Sequence, residues 1–260
     1  VIIFRPASKL ASVLAVVGAL LTFSAAWAQA EEHVATSRAV RGVVELFTSQ
    51  GCSSCPPADR ILARLSEDDS LVALAYHVDY WDYIGWRDIH GSRENTERQR
   101  AYAKELGKGG IYTPQVVVNG RSDVIGSREG EIREALTKAP LDASSALITL
   151  SVDGKRLRVG VENGAGVAGG SAVLMLVTFT DKASTTVERG ENKGLVLIES
   201  HAVRDWRILG MGTQKPMETE IPLASLRPEG GERIGCAAIL QTVTEGGRPG
   251  SILAAAAIEF

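Results

Sequence analysis

The sequence predicts an α/β domain followed by an all-β domain. Three observations carry this. From residue 41 to about 139, apolar runs of strand length alternate with segments of helical period. After Pro140-Leu141-Asp142 the helical period stops, and only alternating runs punctuated by Gly and Pro remain. A C-x-x-C pair, Cys52-Ser53-Ser54-Cys55, falls at the first strand-to-helix junction.

The first residues read as a targeting segment. Arg5 and Lys9 make a basic start, Leu10 to Phe23 is an apolar run broken only by small and hydroxyl residues, and Ala26-Trp27-Ala28 is a small-x-small cleavage site. This pattern predicts a signal peptide over residues 1–28, cleaved after Ala28, and a periplasmic or secreted location. The alternative, an uncleaved anchor, needs roughly 20 apolar residues, more than this run offers. Loss of the segment takes the formal charge from −3 to −5. A chain of that charge is expected to have no nucleic-acid partner and no stable membrane association. Three cysteines are too few for a disulfide scaffold, so stability rests on apolar cores.

In the α/β part, residues 41–139, Val43–Phe47 is expected as a strand. Ala58, Ile61, Leu62 and Leu65 then mark a helix over Pro57–Leu65. Pro56 and Pro57 suit a first helical turn, so the helix starts near Cys55 or is kinked there. Leu71–Val78 is a second strand; Ser92 caps a charged helix, Arg93–Leu106, that ends at Gly107. Gln115–Val118 and Ser122–Ile125 are strands joined by the turn Asn119-Gly120. Ser127 can cap a last helix carrying Ile132, Ala135 and Leu136. The order βαβαββα is the thioredoxin arrangement, so the fold class is an α/β thioredoxin-like domain followed by an all-β sandwich over residues 145–260. In that sandwich Ala146–Val152 and Arg156–Val161 flank the hairpin signal Asp153-Gly154. Further strands are expected at Ala172–Phe179, Leu195–Ser200, Thr219–Leu223, Arg233–Val243 and Ser251–Phe260. The glycine-rich stretch 164–170 is a loop and not a phosphate cradle, because it lacks the lysine and the following helix.

The chemistry centres on the cysteine pair. A helix N-terminus carries partial positive charge and unpaired N–H groups, which favour the attacking thiolate. Cys52, at the exposed end, is the expected nucleophile and Cys55 the buried resolving sulfur. Ser53 and Ser54 supply neither a cation nor a ring, so the thiol pKa is expected to be only moderately lowered. Thr113-Pro114 fits the slot of a cis-proline beside the disulfide. Glu45, alone in an apolar strand, has two readings: a buried acceptor for the Cys55 proton, or a strand-edge group facing solvent or Arg41. The segment 76–87 holds two of the four Trp and three of the five Tyr; Trp81, Tyr83 and Trp86 are candidate substrate-binding residues, or rings that brace the loop. His77 reads as a satisfied core histidine and His90 as exposed. Cys236 reads as a buried thiol, or as a third redox cysteine exchanging with Cys52. The charged stretch Val187-Glu188-Arg189-Gly190-Glu191-Asn192-Lys193-Gly194 reads as a hairpin loop of structural or interface role.

Several stretches together carry a resemblance: residues 44–59 (VELFTSQGCSSCPPAD), His77-Val78-Asp79-Tyr80-Trp81-Asp82-Tyr83, Thr113-Pro114-Gln115, Arg189-Gly190-Glu191-Asn192 and Gly235-Cys236-Ala237. The chain resembles a family of secreted, thioredoxin-like bacterial proteins described only as a domain of unknown function. The resemblance spans essentially the whole chain after the signal segment. It implies a thioredoxin-like domain followed by a β-sandwich, and implies no substrate.

The expected function is thiol–disulfide exchange with a protein or small-thiol partner, without cofactor or resident metal. The alternative is a metal-handling or protein-binding module, with Cys52 and Cys55 holding Cu(I) and His77 as a third ligand. A purely structural disulfide ranks last, since closing so short a loop stabilises little.

Overall fold

The computed structural model describes residues 1–2, 33–142, 146–162, 171–212, 216–227 and 233–260. The expected signal segment, beyond its first two residues, and the loop 164–170 lie outside the described residues. Glu31–Phe260 forms one compact unit.

The chain runs β1 (His33–Thr36), β2 (Gly42–Thr48), α1 (Pro56–Leu65), β3 (Leu71–His77), α2 (Arg93–Glu105), β4 (Gln115–Val118), β5 (Ser122–Ile125) and α3 (Glu129–Lys138). Then come β6 (Leu147–Val152), β7 (Arg156–Glu162), β8 (Ser171–Thr186), β9 (Val196–Gly212), β10 (Met217–Pro222), β11 (Ile234–Val243) and β12 (Pro249–Glu259). Two sheets result. One has the order β1-β6-β7-β10; the other has eight strands in the order β12-β11-β8-β9-β3-β2-β4-β5. The molecule is therefore β-rich. The eight-stranded sheet crosses from the α/β part into the β part, because β9 lies beside the edge that β3 would otherwise leave open, with Ala75 opposite Ala202.

Alternation along the strands divides the interior into three cores. Ile148, Leu150, Leu157 and Val159 meet Leu174, Leu176, Ala238 and Ala256, so the four-stranded sheet packs on β8, β11 and β12 as a sandwich. The intervening residues Met175, Val177 and Ile239 turn the other way and meet Val43, Phe47, Leu74, Tyr76 and Tyr102 of α2. The remaining face of β2, Val44 and Leu46, packs on Ala58, Ile61, Leu62 and Leu65 of α1 and Ile132 of α3. One strand, β2, thus separates the α1 side from the α2 side.

Local chemistry explains most boundaries. α1 begins at Pro56 with Cys55 as N-cap, so both prolines sit in the first turn without a kink. The Ser92 hydroxyl accepts the Asn95 N–H at the start of α2, and Gly107 (φ 65°) follows its end. Asn119 and Gly120 both have positive φ, as a two-residue hairpin turn requires. Asn119 also accepts the Val43 N–H at 2.6 Å and donates to Ala139 O at 2.8 Å, tying the turn to β2 and to the end of α3. Three expectations change. Ser127 does not cap α3; Arg128 takes the cap position through its backbone. β8 and β9 are 16 and 17 residues long and extend well past the apolar stretches that announced them. The strand β1, too short to signal itself, pairs with β6.

Candidate functional site

The turn after β2 delivers the cysteines to the start of α1. Cys52 N–H donates to Ser49 O at 3.1 Å and Cys55 N–H to Cys52 O at 3.1 Å. Cys52 and Cys55 form a disulfide, with Cα atoms 5.4 Å apart. The expected free N–H groups are not there: positions N1 and N2 are prolines, and the Ala58 and Asp59 amides already donate to Cys55 O. The helix end thus offers the sulfurs little beyond its dipole. Nor is Cys52 exposed. Both cysteines are 0% accessible, while Ser53 and Ser54 are exposed. The Ser54 hydroxyl lies 3.3 Å from Cys52 Sγ, within reach to donate to a thiolate.

The cap over this turn comes from the far end of the sequence. Asn192, in the loop between β8 and β9, donates Nδ2 to Gln50 O (2.8 Å) and Cys52 O (3.0 Å). Glu191 Oε2 accepts the Ser53 N–H at 3.2 Å. Gly190 (φ 77°) passes so close to Ile84 and Trp86 that a Cβ there would stand 3.3 and 3.4 Å from them. The hairpin loop expected to be structural is the clamp on the cysteine turn. Removing it has a readable result: Asn192→Ala is expected to speed reduction of the disulfide by dithiothreitol about five- to tenfold, the worth of one or two buried hydrogen bonds. An unchanged rate means the loop does not gate the sulfurs.

The aromatic segment divides between bracing and exposure. Trp81 Nε1 donates to Thr113 Oγ1 at 2.7 Å, and Trp86 Nε1 to Gln50 Oε1 at 2.9 Å. Both indoles therefore hold the site's loops together. Tyr83 is 81% exposed and stacks on Trp81, 6.4 Å between centroids, while Trp81 and Trp86 are half-buried. The Thr113–Pro114 bond is cis. Pro114 and Ala58 flank Gly126, where a Cβ would meet each at 3.1 Å, which places this proline against α1.

Behind the cysteines lies a buried charged network that the sequence did not announce. Asp59, one helical turn after Cys55, accepts from Thr48 Oγ1 at 2.7 Å. Burial pushes its carboxyl up to about 6, against the opposing pull of His77. His77 Nδ1 lies 2.7 Å from Asp88 Oδ2, which also accepts the Gln50 N–H at 2.7 Å. Burial acts to lower the imidazole, but the Asp88 charge and hydrogen bond outweigh it and hold His77 at about 9, protonated at neutral pH. Glu199 on β9 accepts from Gln50 Nε2 at 2.9 Å, and burial raises it to about 7. Asp59, His77 and Glu199 line one small enclosed cavity with Ser200. His90 is not exposed as expected: its ring lies 5.2 Å from that of His77, and burial, with the His77 charge, lowers it to about 4.

Glu45 is corrected as well. It is fully buried, but it belongs to the α2 face of β2, with Val43 and Phe47, not to the α1 face. Arg98 Nε donates to its Oε1 at 2.9 Å and Tyr102 Oη to its Oε2 at 2.5 Å. It is neither an acceptor for Cys55 nor paired with Arg41, which donates to Ser70. Cys236 is buried in the sandwich core, where desolvation pushes its thiol up to about 11 and leaves it unreactive.

His77 Nδ1 is engaged by Asp88 Oδ2 at 2.7 Å, and Nε2 has no hydrogen-bond partner among the described residues. Among the described residues, Asp181, His201 and Glu259 bring potential ligand atoms within 4.8 Å of one another. Arg233 stands 3.5 and 3.6 Å from the two carboxylates, so the cluster is already compensated as an ion-pair group.

Comparison with known proteins adds kinship. A crystal structure of protein AGR_C_4864 from Agrobacterium tumefaciens is 34% identical, aligned over 84% of this chain and 94% of that one, with a TM-score of 0.72. HBP35 of Porphyromonas gingivalis shares the fold at 13% identity, over 84% of this chain and 74% of that one, with a TM-score of 0.55. No curated protein matches. The profile of the family described as "Protein of unknown function (DUF1223)" matches residues 43–241, and the chain belongs to that family.

Proposed function

We propose that this member of the family is a thiol–disulfide oxidoreductase working through Cys52 and Cys55 on a thioredoxin-like framework. The single observation that carries the reading is a disulfide at the cap of α1 with a half-buried carboxylate, Asp59, one turn further along the same helix face. The framework is supported by the strand order β3-β2-β4-β5, with β2 parallel to β3 and antiparallel to β4. A disulfide of this kind suits an oxidising compartment, in keeping with the export signal read at residues 1–28.

In the reducing direction, the Cys52 thiolate attacks one sulfur of a substrate disulfide, and the other substrate sulfur leaves as a thiolate. Cys55 passes its proton to the Asp59 carboxylate. Its thiolate then attacks Cys52 Sγ, releasing the second substrate thiolate and closing the enzyme disulfide. The oxidising direction is the reverse. With the cation-poor helix end described above, the thiolate is only modestly favoured, so neither direction is strongly preferred.

The test is stopped-flow exchange with glutathione, wild type against Asp59→Asn, across pH 5–8. Both are expected to form the mixed disulfide at Cys52. Resolution in the variant is expected to be slowed about tenfold or more and to lose the ionisation near pH 6. Stability should move the opposite way. The folded Asp59 pKa lies above its unfolded value of about 3.9, so its unfavourable contribution is absent near pH 4 and complete above pH 6. Asp59→Asn is expected to raise stability above pH 6, on the order of 1–3 kcal/mol, and to leave it unchanged near pH 4. A wild type that does not exchange removes the function; a variant with the wild-type profile removes Asp59 from it.

A further inference from the structure

On the opposite side of β2 from the cysteines, a cavity of about 390 Å³ opens between α2 and the strands β8, β9 and β11. That size falls within the range of small-molecule sites. Its walls are apolar: Val173, Met175, Ile208, Val243 and the Trp206 indole. Two donors on its lining residues lack good acceptors among the described residues. Trp206 Nε1 is buried with no hydrogen-bond partner among the described residues. Arg98, 7% accessible, commits Nε and Nη2 to Glu45, Tyr102 and Gln241, but Nη1 meets only the Met175 thioether at 3.8 Å. The Arg98 guanidinium stacks 5.7 Å from the Trp206 ring, so the two donors belong to one wall. Buried donors of this kind are normally satisfied.

We infer that this cavity binds a small, neutral, apolar molecule carrying one hydrogen-bond acceptor, a carbonyl oxygen, which Arg98 Nη1 and Trp206 Nε1 receive. Neutrality follows from charge. Glu45 already matches Arg98 at 2.7 Å. At the mouth Glu94 and Glu97 outnumber Arg93, and an anion would enter against them. No lining residue belongs to the cysteine turn or to its cap, so the inference does not rest on the redox reading.

The test uses Prodan, a neutral naphthalene bearing one ketone, whose emission shifts to the blue in an apolar site. Its carbonyl-free parent, dimethylaminonaphthalene, and its carboxylate counterpart, dimethylaminonaphthoate, serve as comparisons. Prodan is expected to bind saturably at one site, about tenfold more tightly than the carbonyl-free parent, and more tightly than the carboxylate. Trp206→Phe removes the donor and part of the aromatic wall; it should weaken Prodan severalfold more than it weakens the parent. Ala101→Trp, at the mouth on α2, should abolish binding, and Ile208→Trp repeats the block from β9, thermal unfolding showing which variants are folded. Absence of saturation, equal affinity for the carbonyl-free parent, tighter binding of the carboxylate, or binding that survives both blocking variants would each overturn the inference.

Discussion

Arg98→Met is expected to destabilise the fold by about 3–5 kcal/mol, because it leaves the Glu45 carboxylate charged, buried and unmatched. In a chain of this size that is a fall in Tm of roughly 6–20 °C. The pair is buried: Arg98 reaches Glu45 through Nε at 2.9 Å and Nη2 at 2.7 Å, and its guanidinium lies over Tyr76, Tyr102 and Trp206. The remaining donor on the carboxylate, Tyr102 Oη, cannot supply a charge. Glu45→Leu combined with Arg98→Met removes both charges, and most of the loss should return, since an apolar replacement of a buried pair is often neutral or better. A single variant within about 1 kcal/mol of wild type would mean that the pair contributes no more than a surface ion pair does. Urea unfolding of the three proteins decides it.

The contrast between Glu45 and Asp59 shows where sequence reading carried and where it stopped. The strand β2 and helix α1 were legible because Val43, Val44, Leu46 and Phe47, then Ala58, Ile61, Leu62 and Leu65, repeat with the right periods. A lone Glu in β2 stood out for the same reason, but period alone could not say which face carried the helix that follows the cysteines. The partner of Glu45 sits 53 residues on, in a helix whose many charges read as solvated. Asp59 carried a usable signal, four residues after Cys55 and so on one helix face with it, yet it stands among the ordinary charges of a first turn. Glu199 and Asn192 had no local signal at all. They reach the cysteine turn only because β8 and β9 continue as one long hairpin, through polar residues such as Asp181, Lys182, Arg204 and Asp205 that lie beyond the apolar stretches. Contacts separated by 140 residues follow from topology, and the topology was set by strand extensions that a hydrophobic pattern does not mark.

The second large effect concerns turnover. Cys55→Ser is expected to arrest exchange at the first step, because Cys52 forms the mixed disulfide and no second sulfur remains to release it. One glutathione should then stay covalently bound per chain, visible as a mass increase that dithiothreitol reverses, while turnover falls to background. The measurement that bears most directly on the redox assignment is equilibrium titration of the wild-type protein against glutathione mixtures, with free thiols at Cys52 and Cys55 quantified by alkylation. A single two-electron transition is predicted, with the same midpoint approached from the reduced and the oxidised side. A Cys52–Cys55 disulfide that stays closed across the whole titration, or that cannot be re-formed once opened, would contradict the assignment.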